Sequence, residues 1–371
     1  MSTELKQLAS LFSRLGFTAF GGPAAHIALM QQEVVVKKKW MTEEHFLDLI
    51  GATNLIPGPN STEMALHIGQ ERAGWKGLLV AGMCFILPAV CITAVFAYLY
   101  KEYGTLPSIQ PFFYGIKPAI IAVVLGAIFP LAKKSLKSTE LILIGIAALL
   151  LSILHFNEIY VLFGAGFLAM SIASIRSGNT FSLLPLPLLQ SAPAGMLNIN
   201  NTNLFLVFLK IGAILYGSGY VLFAFLDSEL VATGLLSRSQ LMDAIAVGQF
   251  TPGPVFSSVT FIGWQMNGWS GAAVSTLGVF LPSFLFVALL NPLVKLMRNS
   301  KIFSAFLDAV NVASVAIILA ICYEMGKNTV TGWRTILIAL ASLLIAFGLP
   351  KINSFWIILG GSLSGFLLSL I

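Results

Sequence analysis

The sequence predicts an all-α polytopic membrane protein of about ten transmembrane helices, arranged as two inverted five-helix repeats. Three observations carry that expectation. Of the 371 residues, 57% are hydrophobic and only 10% charged, whereas a soluble domain has roughly a quarter of its residues charged. Apolar segments follow one another along nearly the whole chain, and several, such as residues 75–100 and 303–322, reach the roughly 20 residues that cross a hydrocarbon core as a helix. No alternating ten-residue segments of the β-barrel kind interleave with them.

The third observation is an internal repeat. Gly16 and Gly21 recur 196 residues later as Gly212 and Gly217. Asp48 and Pro57-Gly58-Pro59 recur at an offset of 195 as Asp243 and Pro252-Gly253-Pro254. Gly69, Gly74-Trp75, Gly77 and Leu87-Pro88 recur at 194 as Gly263, Gly268-Trp269, Gly271 and Leu281-Pro282. Shared apolar composition does not place rare Pro, Trp and Asp in one order, and single-residue slips are what loop deletions leave. The chain divides into an N-terminal repeat, residues 1–176, an uncharged Ser/Asn/Pro-rich linker, 177–203, and a C-terminal repeat, 204–371.

Each half opens with a Gly-interrupted apolar segment, residues 9–30 and 204–225, expected to cross once. A short amphipathic helix (residues 42–55 in the first half) then runs into Pro-Gly-Pro, and a second (60–69) leaves it. Each is too short to span, so the pair is read as a re-entrant hairpin or a broken helix, backbone tolerated at membrane depth only inside protein or along a cavity. Four longer apolar runs complete the half. Five spans is an odd number, which turns the second half upside down. With the N-terminus outside, Lys37-Lys38-Lys39, Arg72, Lys76, Lys133, Lys134, Lys137 and Arg176 fall inside, with Lys295, Arg298, Lys301 and Lys351. That arrangement satisfies the positive-inside rule. The net charge of +6 is therefore a topology signal, and nucleic acid is not an expected partner. The start of the chain lacks the basic n-region of a signal peptide, so no cleaved signal is expected. Cys84, Cys91 and Cys322 lie in apolar segments with no metal or disulfide spacing.

Inverted repeats with broken helices place a ligand near the bilayer midplane at the repeat interface. The two Pro-Gly-Pro turns aim helix N-termini inward, near Asn60 and Ser61 in one half and Val255 and Phe256 in the other. Free N–H groups and the positive helix end favour an anion there. The glycine breaks, Gly21-Gly22 and Gly217-Ser218, let backbone approach a ligand or simply another helix. Arg14 and Lys210 occupy one repeat position and are candidate anion ligands, with snorkelling as the alternative. Lys117, deeper in its segment and matched to Asn311, is a third cation. His26 follows the first break as a candidate donor. Glu63 and His67, four apart on one helix face, are candidates for proton coupling or for a structural hydrogen bond. The sequence has no Walker loop, dinucleotide fingerprint, nucleophile triad or metal cluster. An enzyme, a cofactor and a bound metal are therefore not expected.

Phe20-Gly21-Gly22-Pro23-Ala24-Ala25-His26-Ile27, followed by Pro57-Gly58-Pro59, Gly69 and Gly74-Trp75, resembles the chromate ion transporter family. Gly248-Gln249-Phe250-Thr251-Pro252-Gly253-Pro254 is similar to that family's second Pro-Gly-Pro segment, and the likeness covers nearly the entire chain, as in the fused two-domain form. Tyr216-Gly217-Ser218-Gly219 departs from the Gly-Gly-Pro pattern of the first half. The resemblance implies secondary export of chromate across the bacterial plasma (inner) membrane and chromate resistance, with sulfate as competitor or exchanged ion. A sulfate or other oxyanion carrier, or a channel, is the alternative; a homodimer is compatible with either. Chromate oxidises thiols, so the three cysteines are expected off its path.

Overall fold

The computed structural model describes residues 2–104, 106, 109–176, 200–217, 219–298, 300–349 and 352–370. The linker expected at 177–203 therefore lies almost wholly outside the described residues. Among those residues the regular structure is helical, as it must be where backbone polar groups have only each other to bond. The first half comprises α1 (Thr3–Thr18), α2 (Gly22–Gln31, continued by a π-helical turn Gln32–Lys37), α3 (Glu43–Thr53), α4 (Asn60–Tyr103), α5 (Gln110–Ser135), α6 (Thr139–Ile153) and α7 (Glu158–Arg176). The second repeats the order: α8 (Asn201–Ile214), α9 (Val221–Leu226, continued by a π-helical turn Asp227–Val231), α10 (Arg238–Phe250), a 3-10 turn (Val255–Ser257), α11 (Ser258–Arg298), α12 (Lys301–Thr329), α13 (Trp333–Gly348) and α14 (Ser354–Ser369). Hydroxyl side chains fix several starts: Ser2, Thr42, Ser138, Ser237 and Ser300 each accept from a backbone N–H of the following turn.

Among the described residues five helices are long and apolar enough to cross a membrane: α4, α5, α7, α11 together with its 3-10 turn, and α12. Helices α6, α8, α13 and α14 are shorter and apolar. Large apolar side chains lie on the outside, Leu143 at 62% and Leu344 at 75% exposure among them. On a soluble protein such a surface would aggregate; here it is the face that meets lipid. The chain is a multi-pass membrane protein.

α4 and α11 are each bent double. Ala73 and Gly74 leave helical geometry in the first, Asn267 and Gly268 in the second, with φ of +61° and +59° at the glycines. Eight residues of straight helix rise about 12 Å, yet a Cβ added to Gly69 would collide with the Gly77 carbonyl, and one on Gly263 with that of Gly271. The first leg of α4 (60–72) therefore packs back along the second (75–103), and the legs of α11 do likewise. Left-handed backbone at the bend is why a glycine stands there. Trp75 and Trp269, just past the two bends, are 67% and 70% exposed, as anchors at a membrane–water interface are.

The opening segment of each half corrects an expectation. Residues 9–30 do not form one crossing. Arg14 bonds Glu33 at 2.6 Å, which a straight continuation would hold well over 20 Å away. Gln7 reaches Arg72 beside the α4 bend, and Arg72 and Lys38 both lie over the ring of Trp40. Helix α1 thus enters, breaks at Ala19–Gly21, and α2 returns to the same face. The second half does the same: Lys210 bonds Glu229 at 2.6 Å, and Asn201 accepts from Asn267 beside the α11 bend. The reading of about ten crossings counted these two segments. Without them, α4, α5, α6 and α7 and their counterparts α11 to α14 remain.

The short leg of α11 runs alongside the long leg of α4 in the same direction, with Thr93 donating to Ser257 (3.2 Å) and Gln265 to the Ala97 carbonyl (3.0 Å). The long leg of α11, folded back on the short one, is antiparallel to that of α4 and brings Phe284 to Gly82. Small residues allow close helix contact elsewhere, as where Gly115 lies against Gly361 and Gly365.

Candidate functional site

Four turns converge at the centre of the molecule: the two helix breaks and the two Pro-Gly-Pro tips. They are tied crosswise. The Gly58 N–H donates to the Leu215 carbonyl in the break of the second half (2.7 Å), and the Gly253 N–H donates to the Ala19 carbonyl in the break of the first (2.8 Å). Donors and acceptors are repeat-matched, so each half closes the other's break by the same bond. Gly219 packs near Pro23 and Phe256, and the Tyr220 hydroxyl lies against Gly22.

The first leg of α4 begins at Asn60, directly after Pro59. The N–H groups of Thr62 and Glu63 donate to the Pro59 carbonyl, leaving the amides of Asn60 and Ser61 without a backbone acceptor, as at any helix start. Asn60 also donates through its side chain to Asn54 (2.8 Å) across the turn. This end opens into a cavity of about 410 Å³. Pro23 and Ala24 of α2, Asn54, Asn60, Gly217 and Gly219 line its floor, and Asn311 and Ser314 of α12 line its wall. Lys134, Lys137 and Asp308 stand toward the ends of α5 and α12 that carry the other basic residues. Lys137 and Asp308 are ion-paired at 2.8 Å; Lys134 has no carboxylate within ion-pair distance among the described residues. A floor of amides and helix N–H groups with a cation above it suits a small oxyanion.

The sequence-predicted residues distribute unevenly around this cavity. Asn60 and Gly217 line it. Gly21 and Gly22, at φ +102° and +78°, form the first break. Ser61 is buried beside it, its hydroxyl 3.3 Å from His26 Nδ1, while His26 Nε2 lies 3.1 Å from the Ala19 carbonyl. A carbonyl only accepts, so Nε2 donates and, in a neutral ring, Nδ1 accepts from Ser61. His26 therefore braces the break against the helix start. Val255 and Phe256 sit in the 3-10 turn and are buried, so the α-helix of the second half starts three residues later, at Ser258. Ser218 lies outside the described residues.

Arg14 and Lys210 are not free cations. Glu33 and Glu229, matched at the same offset of 196, neutralise them, and Lys37 also bonds Glu33 (2.7 Å). Lys117 is remote from the cavity: it donates to Ser239 (2.6 Å) and lies 3.5 Å from Asp243, which accepts from Tyr100 (2.7 Å). Glu63 and His67 are wholly buried and, with Ser283, have no hydrogen-bond partner of good geometry. None of the three cysteines lines the cavity. Asn54, Lys134, Asp308 and Ser314 went unread in the sequence because only folding brings α5 and α12 to the Pro-Gly-Pro turn. Glu33 and Glu229 were legible, since the repeat offset that links Arg14 to Lys210 links them too.

Broken helices around a polar cavity, inside a shell of apolar spans, define a membrane transporter. The chain belongs to the chromate transporter family, which it matches over residues 6–170 and again over 202–366, once in each half. It is 30% identical to the chromate transport protein of Cupriavidus metallidurans over 97% of this chain and 92% of that protein. A probable chromate transport protein of Synechococcus elongatus is 28% identical, covering 94% and 91%, and the chromate transport protein of Pseudomonas aeruginosa 27%, covering 97% and 92%. No solved structure matches the chain.

Proposed function

We propose that this chain is a secondary transporter that exports chromate across the bacterial plasma membrane and so confers chromate resistance. The observation that carries the reading is the cavity floored by the α4 N-terminus: a tetrahedral dianion fits between the amides of Asn60 and Ser61, the Asn54 and Asn311 side chains and the Gly217 break. Gly21, Gly22 and His26 shape that floor in this reading, and Val255, Phe256 and the break at Gly217 supply its counterpart from the other half. Arg14 and Lys210 act as clasps that hold each returning helix, not as ligands.

The halves, residues 1–176 and 204–371, are taken as inverted repeats. With α1–α2 and α8–α9 each returning to the face they enter, parity no longer argues for this. The antiparallel legs of α4 and α11, the crosswise Gly58 and Gly253 bonds, and bends at opposite ends support it. Both Pro-Gly-Pro tips are then re-entrant. The N-terminus moves to the inside with Lys6, Lys37-Lys38-Lys39, Arg72 and Lys76, which keeps the positive-inside bias. The cavity thus faces the cytoplasm, and transport exchanges this arrangement for its inverted twin. Outward movement of a dianion gains about 2.3 kcal/mol per charge per 100 mV in a cell negative inside, so export needs no ATP.

Inverted membrane vesicles given labelled chromate or labelled sulfate, with and without an imposed potential, test this. Potential-driven uptake of chromate in excess of sulfate is expected. Equal transport of the two ions overturns chromate specificity, and transport of neither overturns the oxyanion reading.

A further inference from the structure

The first leg of α4 carries a buried acid that anion binding alone does not explain. Glu63 stands one turn beyond Asn60 and is 0% exposed. Its carboxyl turns back toward the Pro-Gly-Pro tip: a Cβ on Gly58 would overlap Glu63 Oε1 and lie 2.6 Å from Ser283 Oγ. Neither carboxyl oxygen closes a hydrogen bond of good geometry, and neither does the Ser283 hydroxyl beside it. His67, on the same helix face one turn further on, is 1% exposed with both ring nitrogens unpartnered. The adjoining Thr62 hydroxyl is unpartnered too. No cation among the described residues is paired to this carboxyl.

Two physical arguments meet here. An ionised carboxylate removed from water with at most the Ser283 hydroxyl beside it and no counter-charge costs several kcal/mol, so the site in this state calls for a neutralising cation. A negative carboxylate one helical turn from a bound dianion would also repel it through an interior of low dielectric. A proton on Glu63 removes both penalties and gives the carboxyl a donor for Ser283. The unpartnered oxygens beside the carboxyl, the Ser283 and Thr62 hydroxyls, are too few to replace the hydration shell of a sodium ion. The other titratable groups facing this region are Tyr216, which interacts electrostatically with Glu63, and His26, tied to Ser61 and Ala19. Lys134 and the paired Lys137 and Asp308 lie across the cavity.

We propose that Glu63 is a proton-binding site coupled to the oxyanion site, so that a proton and the dianion occupy the central turns together and move in the same direction. The proposal rests on the oxyanion reading above. In the second half Ser258 and Ile262 stand where Glu63 and His67 stand, so one proton site serves the whole molecule.

Proteoliposomes holding the full chain test it. With equal chromate on both sides at alkaline pH, where chromate is a dianion, an imposed pH gradient should drive wild-type chromate accumulation in the direction of proton flow. Glu63→Gln should still exchange labelled for unlabelled chromate, yet lose at least tenfold of the gradient-driven accumulation. Wild-type exchange with no response to the pH gradient, or a response to a sodium gradient instead, overturns the proton site and leaves the oxyanion reading standing. Undiminished accumulation by Glu63→Gln overturns it as well. Absence of chromate exchange in the wild type overturns the oxyanion reading, and the coupling with it. Should Glu63→Gln fail to fold, Ser283→Ala, which removes the hydroxyl against the carboxyl, takes its place: a shifted pH dependence of the gradient-driven accumulation is expected, and an unchanged one overturns the assignment to Glu63.

Discussion

The two sides of the central turns are built from repeat-matched positions, yet a polar cavity opens at those positions on one side and side chains close them on the other. Facing the cavity are Ala24, Ile50, Asn54, Asn60 and Leu131. Their repeat counterparts are Tyr220, Ile245, Gln249, Val255 and Met325, and each is at most 6% exposed. The Tyr220 ring fills the space that Ala24 leaves open. Lys117, Asp243, Tyr100 and Ser239 bond together on that side, whereas Asn311, the counterpart of Lys117, opens onto the cavity. The larger side chains at these positions go with the closed side. Under the proposed inverted-repeat reading, this is the asymmetry a carrier has in one of its two end states.

The largest expected effect comes from Gly58→Ala, because its Cβ would meet Glu63 and Ser283 and its φ of +134° disfavours any side chain. Overpacking and strain together predict a loss of about 3 kcal/mol and of chromate transport, read from thermal unfolding in detergent and vesicle assays. Gly74→Ala, with nothing within 4 Å at a φ of +61°, carries only the strain, about 1 kcal/mol. Equal effects of the two would remove the special status of the tip.

Next in size is Lys210→Ala. It leaves Glu229 uncompensated at 14% side-chain exposure, and should lower stability by about 2 kcal/mol without changing oxyanion affinity. Arg14→Ala should cost less, about 1 kcal/mol, because Lys37 still neutralises Glu33. Weakened anion binding in both variants would return these cations to the site. The smallest effect is electrostatic. Lys134→Ala should reduce apparent chromate affinity about three- to tenfold, most at low salt, since it acts at the mouth of the cavity. A loss independent of ionic strength would place Lys134 against the bound ion instead.

Much of this architecture was legible from residue order. The repeat offsets pair the breaks, the Pro-Gly-Pro turns and the Gly74-Trp75 and Gly268-Trp269 dipeptides in residue order alone, because glycine, proline and tryptophan stand where backbone geometry or the interface demands them; that these dipeptides mark sharp bends shows only in the fold. The doubling back of α1 and α2 was misread. Hydropathy measures length and apolarity, and residues 9–30 have enough of both; the clue lay in Glu33 and Glu229 repeating alongside Arg14 and Lys210. The surroundings of Lys117 were hidden for a related reason. Its partner Asp243 comes from the other half, and no local pattern announces a contact across a hundred residues. The cavity wall on α5 and α12 was hidden the same way.

The central claim, that an open inner cavity ends on an anion site at the α4 N-terminus, is tested most directly by thiol accessibility. Asn60→Cys, with Cys84, Cys91 and Cys322 replaced by serine, is exposed to a membrane-impermeant thiol reagent from either face, with and without sulfate as a non-oxidising chromate analogue. Labelling from the cytoplasmic face, slowed by sulfate, with the matched Val255→Cys unreactive from the opposite face, is the predicted result. Labelling of Asn60→Cys only from the outer face, or at a rate sulfate does not change, would contradict the account.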